Sequence, residues 1–412
     1  MISRIKVKNF GPIKEGLLEN DGWIELKKVT LFIGNQGSGK STIAKLISTL
    51  TWIEKALVRG VFSEKSLTDK TLIKHLSYQN IGNYFKEETI LEYEGNAYHI
   101  SFKNKFVEVK KNERNGYSFP KIMYVPSERN FVSSVRNVRT LKGLPSTLYT
   151  FSDEFINAVE ELKGQIILPI NNTKFEYQKL NKLSSIIGND YKITLSEASS
   201  GFQSFVPLFV VSDYLANSLE KKEDSTIKQI SIEEEKRIRK EIEQILSNPN
   251  ISDDVKQASL EYLSSKFAYS SFINIVEEPE QNLFPKSQNK ILNSLLEFNN
   301  LNEYNRLILT THSPYIINFL SVAIQADYLF EKLKTLSNQK QHSFLHRLNE
   351  VVPYKSMVSS SDVIIYQLDE ISGTLKKLND YEGIPSDDNF LNESLANANE
   401  MFDLLLEIEQ EI

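Results

Sequence analysis

The sequence predicts an α/β fold that combines strand–helix–strand units with an antiparallel β subdomain and helical insertions. The apolar run at 29–33 is followed by a glycine-rich turn and a helical pattern, which is typical of a buried strand that leads into a helix. Two more apolar runs, 272–276 and 306–310, enclose a helical segment, as in a parallel crossover unit. Residues 89–110 alternate around a break at 94–96, which predicts an antiparallel hairpin or meander.

Composition restricts the class of protein further. The chain has 412 residues and a formal net charge of −6, and its 40% hydrophobic and 25% charged residues exclude disorder of the whole chain. It contains no cysteine, which excludes disulfides, thiol catalysis and cysteine metal sites and is compatible with the cytoplasmic location we expect. No apolar run reaches the ~18–20 residues of a membrane helix, and the N-terminus lacks the apolar region of a signal peptide, so no membrane partner is predicted.

The N-terminal third is predicted to consist mainly of strands. Ile5 and Val7 alternate with lysines, which indicates a half-buried strand, and residues 23–26 suggest a second one. Residues 121–125 form another short apolar run. The helix after the glycine-rich turn carries four apolar positions, Ile43, Leu46, Ile47 and Leu50.

The middle of the chain changes in composition. Residues 140–195 are mixed and show no clear period, whereas 202–220 form an apolar helical pattern. From 221 to about 266 the sequence is dominated by charge, with a dense run at 233–241 whose acids and bases form favourable i,i+4 pairs. We expect a solvated helical insertion here, and the alternative is a helical arm that touches a partner.

Residues 363–366 and 373–378 predict a late hairpin, and the C-terminal tail predicts an amphipathic helix. Ser386 can cap this helix, with Asp387 and Asp388 in its first turn. Its apolar stripe consists of Leu391, Leu395, Ala398, Phe402, Leu405 and Ile412. The expectation is a helix packed on its own domain, and the alternative is a docking helix for another subunit.

Residues 34–41 match the phosphate-binding pattern G-x-x-x-x-G-K-[ST] in full, between a buried strand and a helix. Glycines let the backbone curl so that its N–H groups point at phosphate oxygens, and the helix N-terminus favours an anion. Lys40 is predicted to reach the β and γ phosphates of a nucleotide, and the Ser41 hydroxyl to ligate Mg²⁺. This pattern alone leaves kinases, GTPases, helicases and ABC-type heads open. The nucleotide-binding residues predicted here are Gly34, Asn35, Gln36, Gly37, Ser38, Gly39, Lys40, Ser41 and Thr42.

Acidic and imidazole side chains follow two later strands at the point where each ends. Glu277 and Glu278 close the strand at 272–276, and an acid there can hold a metal while its neighbour activates water. We assign Mg²⁺, held through water, to Glu277 and the general base to Glu278. His312 follows the strand at 306–310 and can sense the γ-phosphate and orient the water. Lys40, Glu278 and His312 are therefore the predicted catalytic residues.

Ser199, Ser200 and Gly201 open the helical pattern at 202–220. Serine and glycine at a helix N-terminus can bind an anion, so these three residues are candidates for contact with a nucleotide. A Ser-Gly turn that caps a helix is also common without any ligand, so this segment gains meaning only from the others.

Together the four segments resemble the ABC-type ATPase heads of the SMC/RecF/OLD class. The matches run in the order expected for that class: phosphate-binding turn at 34–41, signature at 199–203, Walker B strand at 272–278 and switch histidine at 312. The opening, residues 5–13, is also similar to the first strand of the class, so the resemblance spans roughly residues 1–320.

The resemblance implies that the fold is a P-loop ABC-type ATPase head and that two heads sandwich two ATP molecules. Ser200 and Gly201 would then act in trans, which predicts a homo-oligomer with composite ATP sites. Two positions depart from the pattern of the class. Glu277 stands where most such heads have Asp, and Phe202 stands where a second Gly is usual.

Residues 124–130, Tyr-Val-Pro-Ser-Glu-Arg-Asn, resemble a string found in standalone ATPases of prokaryotic anti-phage defence systems. At this strand end a salt bridge of Glu128 and Arg129 is expected, and the alternative is that Glu128 or Arg129 faces the nucleotide. The predicted domain division is 1–127 and 268–380 for the ATPase core, 128–220 for the signature-bearing helical subdomain, 221–267 for the charged insertion and 381–412 for the C-terminal helix.

The resemblance implies a slow ATPase subunit of a two-component defence system of the PARIS, Septu or abortive-infection type. ATP-dependent dimerisation or oligomerisation would sense a trigger and control a separately encoded effector protein, a nuclease. One alternative is a RecF- or SMC-like repair ATPase that clamps duplex DNA. The other is a scaffold that binds ATP structurally and assembles through the charged insertion or the tail.

Overall fold

The computed structural model describes residues 3–113, 117–135, 138, 141, 143–223, 243, 246, 247, 269–335 and 341–411. The strands are β1 (Ser3–Phe10), β2 (Gly16–Leu17), β3 (Trp23–Leu26), β4 (Val29–Gly34), β5 (Phe85–Glu94), β6 (Tyr98–Lys103), β7 (Phe106–Lys111), β8 (Pro120–Val125), β9 (Gln165–Ile167), β10 (Lys174–Gln178), β11 (Leu183–Ile187), β12 (Lys192–Thr194), β13 (Ser271–Glu277), β14 (Arg306–Thr311), β15 (Val363–Asp369), β16 (Thr374–Lys377), β17 (Asp380–Tyr381) and β18 (Ile384–Pro385). The helices are α1 (Lys40–Val58), α2 (Asp69–Tyr78), α3 (Phe131–Ser134), α4 (Ser146–Glu161), α5 (Ser200–Glu223), α6 (Pro285–Asn300), α7 (Pro314–Lys334), α8 (Gln341–Val351) and α9 (Phe390–Glu411).

The central sheet has seven strands in the order β2-β16-β15-β4-β14-β13-β8. Its five strands from β15 to β8 are all parallel, and β13 and β14 are neighbours joined through α6, which confirms the predicted crossover unit. The late hairpin is confirmed as the antiparallel pair β15 and β16. Because the carboxyl ends of parallel strands meet at one edge of a sheet, the turns after β4, β13 and β14 lie together there.

Strand β13 shows why the parallel strands appear as unbroken apolar runs in the sequence. Every residue from Ser271 to Glu277 is buried, because both faces of the strand are covered. Ile273 and Ile275 belong to the hydrophobic cluster around α1, whereas Phe272 and Val276 belong to the cluster around α5 and α6. Asn274, on the second face, donates to Ser212 Oγ of α5 at 3.0 Å.

The antiparallel β subdomain has five strands in the order β3-β1-β5-β6-β7. Helix α1 packs between this sheet and the central one, and its four predicted apolar positions, Ile43, Leu46, Ile47 and Leu50, are all buried. They share one hydrophobic cluster with Ile5 and Val7 of β1, which fulfils the predicted alternation of that strand. The helix that follows the glycine-rich turn is therefore fixed on both sides by apolar packing.

The helical side of the molecule contains structure that the sequence pattern did not predict. Residues 140–195 show no clear period, yet they include α4 and a four-stranded antiparallel sheet in the order β12-β11-β10-β9. Each of these strands has only three to five residues, and Phe175 and Ile186 are among the few fully buried positions in them. A strand this short carries too few alternations to give a period. The α/β class, the antiparallel subdomain and the helical additions are otherwise confirmed.

The tail forms the predicted helix, but with a different start. Helix α9 begins at Phe390, and Asn389 Oδ1 accepts from the backbone N–H groups of Leu391 and Asn392 at 3.2 Å each. The prediction that Ser386 caps the helix is therefore wrong, because its hydroxyl oxygen accepts only from the Asp388 N–H ahead of the helix.

Only the first turns of α9 are close to the rest of the chain. Residues 401–408 are all exposed, so the expectation of a helix packed on its own domain holds for its beginning alone. The charged insertion at 221–267, with its dense run at 233–241, lies almost entirely outside the described residues. Within the described part of the chain, no helix has the length and apolar character needed to cross a membrane.

Candidate active site

The turn after β4 adopts a conformation that depends on glycine. Gly34, Gly37 and Gly39 have φ values of 148°, 76° and 103°, which side chains other than hydrogen rarely permit. At Gly34 a Cβ atom would lie 2.5 Å from the backbone oxygen of Leu368 on β15. The turn can therefore approach its neighbouring strand only as glycine, and α1 begins directly after it at Lys40.

Lys40 folds back over the turn that precedes it. Its Nζ donates to the carbonyl oxygens of Gly34 and Asn35 at 2.8 Å each, and lies 3.4 Å from His312 Nδ1. Burial lowers the pKa of this ammonium to about 8, although the charge of Glu278 opposes the shift. The groups in these contacts are uncharged, so the ammonium is a buried positive charge that a phosphate would neutralise.

The remaining residues of the turn divide into exposed and buried sets. Asn35, Gln36, Gly37 and Ser41 are exposed, whereas Ser38, Gly39 and Thr42 are buried. Asn35 Nδ2 donates to Glu370 Oε1 at 3.0 Å, and Asn35 Oδ1 accepts from the Gln36 N–H at 2.8 Å. The Ser41 hydroxyl lies in the first turn of α1 and is accessible to a ligand from solvent.

Glu277 is hydrogen-bonded to β8, the strand that pairs with β13, and to the turn that follows β8. Its Oε1 accepts from the Tyr124 hydroxyl at 2.5 Å and its Oε2 from the Ser127 N–H at 3.2 Å. The side chain is buried, and burial also raises the pKa of Tyr124 well above its usual value, so the phenol stays protonated and donates. Because both carboxylate oxygens have protein donors, this geometry suits a metal held through water better than a direct bond.

Glu278 turns away from the strand with a backbone conformation that is rare for its type. Its φ is 46°, in the left-handed region, which costs a residue with a side chain about 1–3 kcal/mol. Its N–H donates to the Thr310 carbonyl at 2.9 Å. The carboxyl is partly exposed, and burial, followed by the charge of Glu277, raises its pKa. A carboxylate with a raised pKa is a better proton acceptor near neutral pH.

His312 lies between Lys40 and Glu278. Its Nε2 is 3.6 Å from Glu278 Oε1, while its Nδ1 is 3.4 Å from the Lys40 ammonium, which can only donate. Burial, followed by the charge of Lys40, lowers the pKa of His312, and a hydrogen bond to the Gly34 backbone opposes this shift, so the ring is neutral at pH 7. Its backbone N–H donates to Glu280 Oε1 at 2.8 Å.

The Ser-Gly segment stands at the N-terminus of α5 as predicted. Ser199 and Ser200 are exposed, and the helix begins at Ser200. A Cβ atom on Gly201 would lie 2.9 Å from the backbone oxygen of Asn282, which belongs to the turn after Glu278. Phe202 packs partly against the hydrophobic cluster around α5. The glycine thus permits the close approach of α5 to that turn.

The prediction for the strand end after β8 is wrong in one respect. Arg129 is fully buried, and its guanidinium donates to backbone carbonyls rather than facing a nucleotide or pairing with Glu128. Glu128 is exposed and accepts from the Ser127 hydroxyl at 3.3 Å. The residue type alone did not reveal this, because a surface salt bridge and a buried guanidinium have the same sequence signal.

Two other acidic residues near the site were not predicted from the sequence. Glu280 Oε1 accepts from the Thr311 hydroxyl at 2.7 Å and from the His312 N–H, so it fixes the start of the turn after β14. Glu370, which follows β15, is bonded to Asn35. Glu280 stands in the acidic string after β13, which could have pointed to it, whereas the sequence around Glu370 carries no such pattern.

A cleft of about 470 Å³ adjoins the phosphate-binding turn. Gly34, Asn35, Gln36 and His312 line one side, and the first turns of α9 line the other. Ser199, Ser200 and Gly201 are not among the residues that line it. The predicted site residues at the ends of β4, β13 and β14 are thus brought together, while the Ser-Gly segment presents its own exposed surface.

The residues present fit ATP and Mg²⁺. The exposed glycine turn offers backbone N–H groups, and among the residues that the structure describes none places an opposite charge in hydrogen-bond contact with the buried ammonium of Lys40. Ser41 would hold the metal directly, and Glu277 would hold it through water. The site-residue assignments remain predictions that this geometry supports.

No protein-family model matches the chain, and no curated protein matches it. Among solved structures, the SMC head domain from Thermotoga maritima is similar at 11% identity and a TM-score of 0.37, over 92% of this chain and 99% of that chain. The SmcHead bound to the C-winged helix domain of ScpA is similar at 10% identity and a TM-score of 0.36, over 92% and 97% of the two chains. Likeness at this level carries no argument about function.

Proposed function

We propose that the protein binds ATP at the turn between β4 and α1 and hydrolyses it with Mg²⁺. The observation that carries the proposal is the convergence of Lys40, His312 and Glu278, which come from three separate elements. Nζ of Lys40 lies 3.4 Å from His312 Nδ1, and His312 Nε2 lies 3.6 Å from Glu278 Oε1. A cation, a neutral imidazole and a carboxylate at the mouth of a glycine turn suit phosphoryl transfer to water.

Each side chain has a role that its contacts support. Lys40 would donate to the β and γ phosphates, exchanging its carbonyl partners for charged oxygens. Glu278 would accept the proton of the attacking water, and the neutral His312 ring would donate a hydrogen bond to the γ-phosphate or to that water. Ser41 would hold Mg²⁺ directly and Glu277 would hold it through water, and the bound ion would neutralise phosphate charge.

Two variants separate binding from hydrolysis. Lys40→Ala removes the only ammonium at the turn, so ATP affinity should fall at least about 100-fold, which equilibrium binding of a fluorescent ATP analogue will measure. Glu278→Gln keeps the size of the side chain but removes the base, so turnover should fall about 10²–10⁴-fold while ATP affinity is retained. Full ATP affinity in Lys40→Ala would contradict the site assignment.

The same Glu278→Gln variant tests the composite site. We propose that two copies of this chain close around ATP, with Ser199, Ser200 and Gly201 of one copy completing the site of the other. The exposure of both serines at the start of α5 supports this arrangement. Sedimentation of Glu278→Gln should show a doubled mass, or a higher multiple, with ATP and Mg²⁺ and the monomer mass without them. An unchanged mass would contradict the composite site.

We also propose that this ATPase acts in an anti-phage defence system and controls a separately encoded nuclease. The support is the resemblance of residues 124–130 to a string in standalone defence ATPases. Expression with the product of the adjacent gene should lower phage plating in a manner that Lys40→Ala abolishes. Protection that survives Lys40→Ala would overturn the role of ATP in it, and salt-sensitive, ATP-dependent binding of duplex DNA without protection would favour a DNA clamp.

A further inference from the structure

Arg129 makes an unusual set of contacts for a buried arginine. It lies in the short helical turn Ser127–Asn130 after β8, and its side chain is 0% exposed. Its Nη1 donates to the Glu277 carbonyl at 2.7 Å and its Nη2 to the Glu278 carbonyl at 2.6 Å. Its Nε donates to the Ser204 carbonyl on α5 at 3.1 Å. One rigid guanidinium therefore joins the end of β8, the turn after β13 and the start of α5.

The carbonyls of Glu277 and Glu278, which both accept from Arg129, lie on either side of the Glu278 Cα atom. Arg129 thus fixes both peptide planes next to Glu278, and the Thr310 carbonyl fixes the Glu278 N–H from the third side. These bonds hold the backbone at φ 46°, a conformation that glutamate would otherwise leave. The direction in which the Glu278 side chain points follows from this conformation.

A second set of contacts ties the same turn to α5. Asn282 Nδ2 donates to Ser204 Oγ at 3.0 Å, so the hydroxyl of Ser204 is bonded to the turn after Glu278 while its carbonyl is bonded to Arg129. Ser133 Oγ of α3 donates to the Gln203 carbonyl at 2.8 Å. The first turns of α5, which begin with the Ser-Gly segment, are therefore anchored to the turn that carries Glu278 and to the segment that carries Arg129.

We infer that Arg129 is a positioning residue. It orients the Glu278 side chain towards the nucleotide and couples this orientation to the position of the N-terminus of α5. The inference rests on the proposed ATPase function, in which Glu278 is the base. Contact of Ser199–Gly201 with a second copy's ATP would then reach Glu278 through Ser204 and Arg129, because a shift of α5 moves an acceptor of the same guanidinium.

Arg129→Lys tests the inference, since lysine keeps the charge but cannot donate to three carbonyls in a plane. We expect kcat to fall about 10–100-fold with ATP affinity within about threefold of the wild type, because Lys40 and the glycine turn are untouched. The matched control is Arg306→Lys. Arg306 begins β14, at the end of the strand away from the site, and donates to the Leu26 carbonyl at 2.8 Å. Arg306→Lys should leave kcat within about threefold of the wild-type value.

Two further measurements separate positioning from a general structural effect. In the Glu278→Gln background, Arg129→Lys should lower the residual rate no further, because both changes act through one carboxylate. Without nucleotide, hydrogen exchange of Arg129→Lys should be at least about tenfold faster in segments 277–283 and 199–206 alike, and unchanged in α1. Arg306→Lys should show neither effect.

Several outcomes would overturn the inference. They are a wild-type kcat in Arg129→Lys, additive losses in the double variant, or faster exchange in only one of the two segments. If Arg129→Lys does not fold, Asn282→Ala takes its place, with a smaller fall in kcat and the same non-additivity expected. A wild-type protein that neither binds nor hydrolyses ATP would instead contradict the proposed function. The hydrogen-exchange measurement is made without nucleotide, so its result does not depend on that function.

Discussion

The phosphate-binding turn and the turn after β13 support their charged side chains in different ways. Lys40 is held by carbonyls five and six residues earlier in the chain, so the turn and its lysine form one local unit. Glu278 is held by Arg129, which is 149 residues distant in sequence. The first arrangement depends on glycines and a helix start, and the second depends on the packing of three elements.

In the proposed function, nucleotide binding and hydrolysis therefore have separate structural supports. Changes in the local unit should abolish binding wherever the rest of the fold is intact. Changes in the contacts of Arg129 should instead alter hydrolysis and leave the binding turn as it is. Separate mutations should therefore impair ATP binding and ATP hydrolysis one at a time.

The largest expected effect is that of Gly34→Ala compared with Gly37→Ala. At Gly34 the new Cβ would lie 2.5 Å from the Leu368 oxygen, whereas at Gly37 no atom lies within 4 Å. Both have positive φ, so strain of about 1 kcal/mol or more is common to them, and the clash adds to it only at Gly34. We expect Gly34→Ala to lower the free energy of unfolding by roughly 3–5 kcal/mol and to abolish ATP binding.

Gly37→Ala serves as the control for backbone strain alone. Its free energy of unfolding should fall by about 1–2 kcal/mol, measured for both variants by denaturant unfolding. Equal losses in the two variants would show that the approach of the turn to β15 does not constrain it.

The next effect concerns the buried charge of Lys40. Its pKa of about 8 lies below the 10.5 of the unfolded chain, so between these values the unfolded state binds more protons and stability rises with pH. The free energy of unfolding of the wild type, minus that of Lys40→Met, should therefore increase by roughly 3 kcal/mol from pH 8 to 10.5.

Calorimetry at several pH values measures this difference, because groups whose pKa does not depend on Lys40 cancel between the two proteins. ATP phosphates should raise the pKa of Lys40 again, so binding near pH 8 should take up a proton. A difference that stays constant up to pH 10.5 would contradict the burial of this ammonium as a charged group.

The comparison also explains how far the sequence could predict this site. Buried parallel strands appear as short apolar runs, so β4, β13 and β14 were placed within one residue of their observed ends. The glycine turn was predicted because its sequence pattern lies in one segment, residues 34–41. Lys40, Glu278 and His312 were brought together in the prediction because they follow strands of one parallel sheet.

The contacts of Arg129 could not be predicted in the same way. Its acceptors are backbone carbonyls, which exist at every residue and leave no trace in side-chain identity. The small sheet from β9 to β12 was missed because its strands are too short for a period. The start of α9 was misplaced because Ser386 and Asn389 are both good capping residues, and only the path of the chain decides between them.

The smallest expected effect is that of Glu280→Gln, which lies between the two regions. Glutamine can still accept from the Thr311 hydroxyl and the His312 N–H at Oε1, so the turn after β14 should keep its shape. Burial raises the pKa of Glu280, so the wild type loses stability as pH rises from 4.5 through the raised value, and Glu280→Gln should not. At neutral pH we expect the free energy of unfolding of Glu280→Gln to equal that of the wild type or to exceed it by on the order of 1 kcal/mol.

Glu280→Ala is the comparison that decides what this residue does. It leaves the two donors without their acceptor, so it should destabilise by about 1–3 kcal/mol and lower the hydrolysis rate by displacing His312. Thermal unfolding over pH 4–8 and the ATPase rate measure both variants. If Glu280→Gln lowers the rate as much as Glu280→Ala does, the charge of Glu280 matters for hydrolysis, and the neutral imidazole of His312 is not positioned by hydrogen bonding alone.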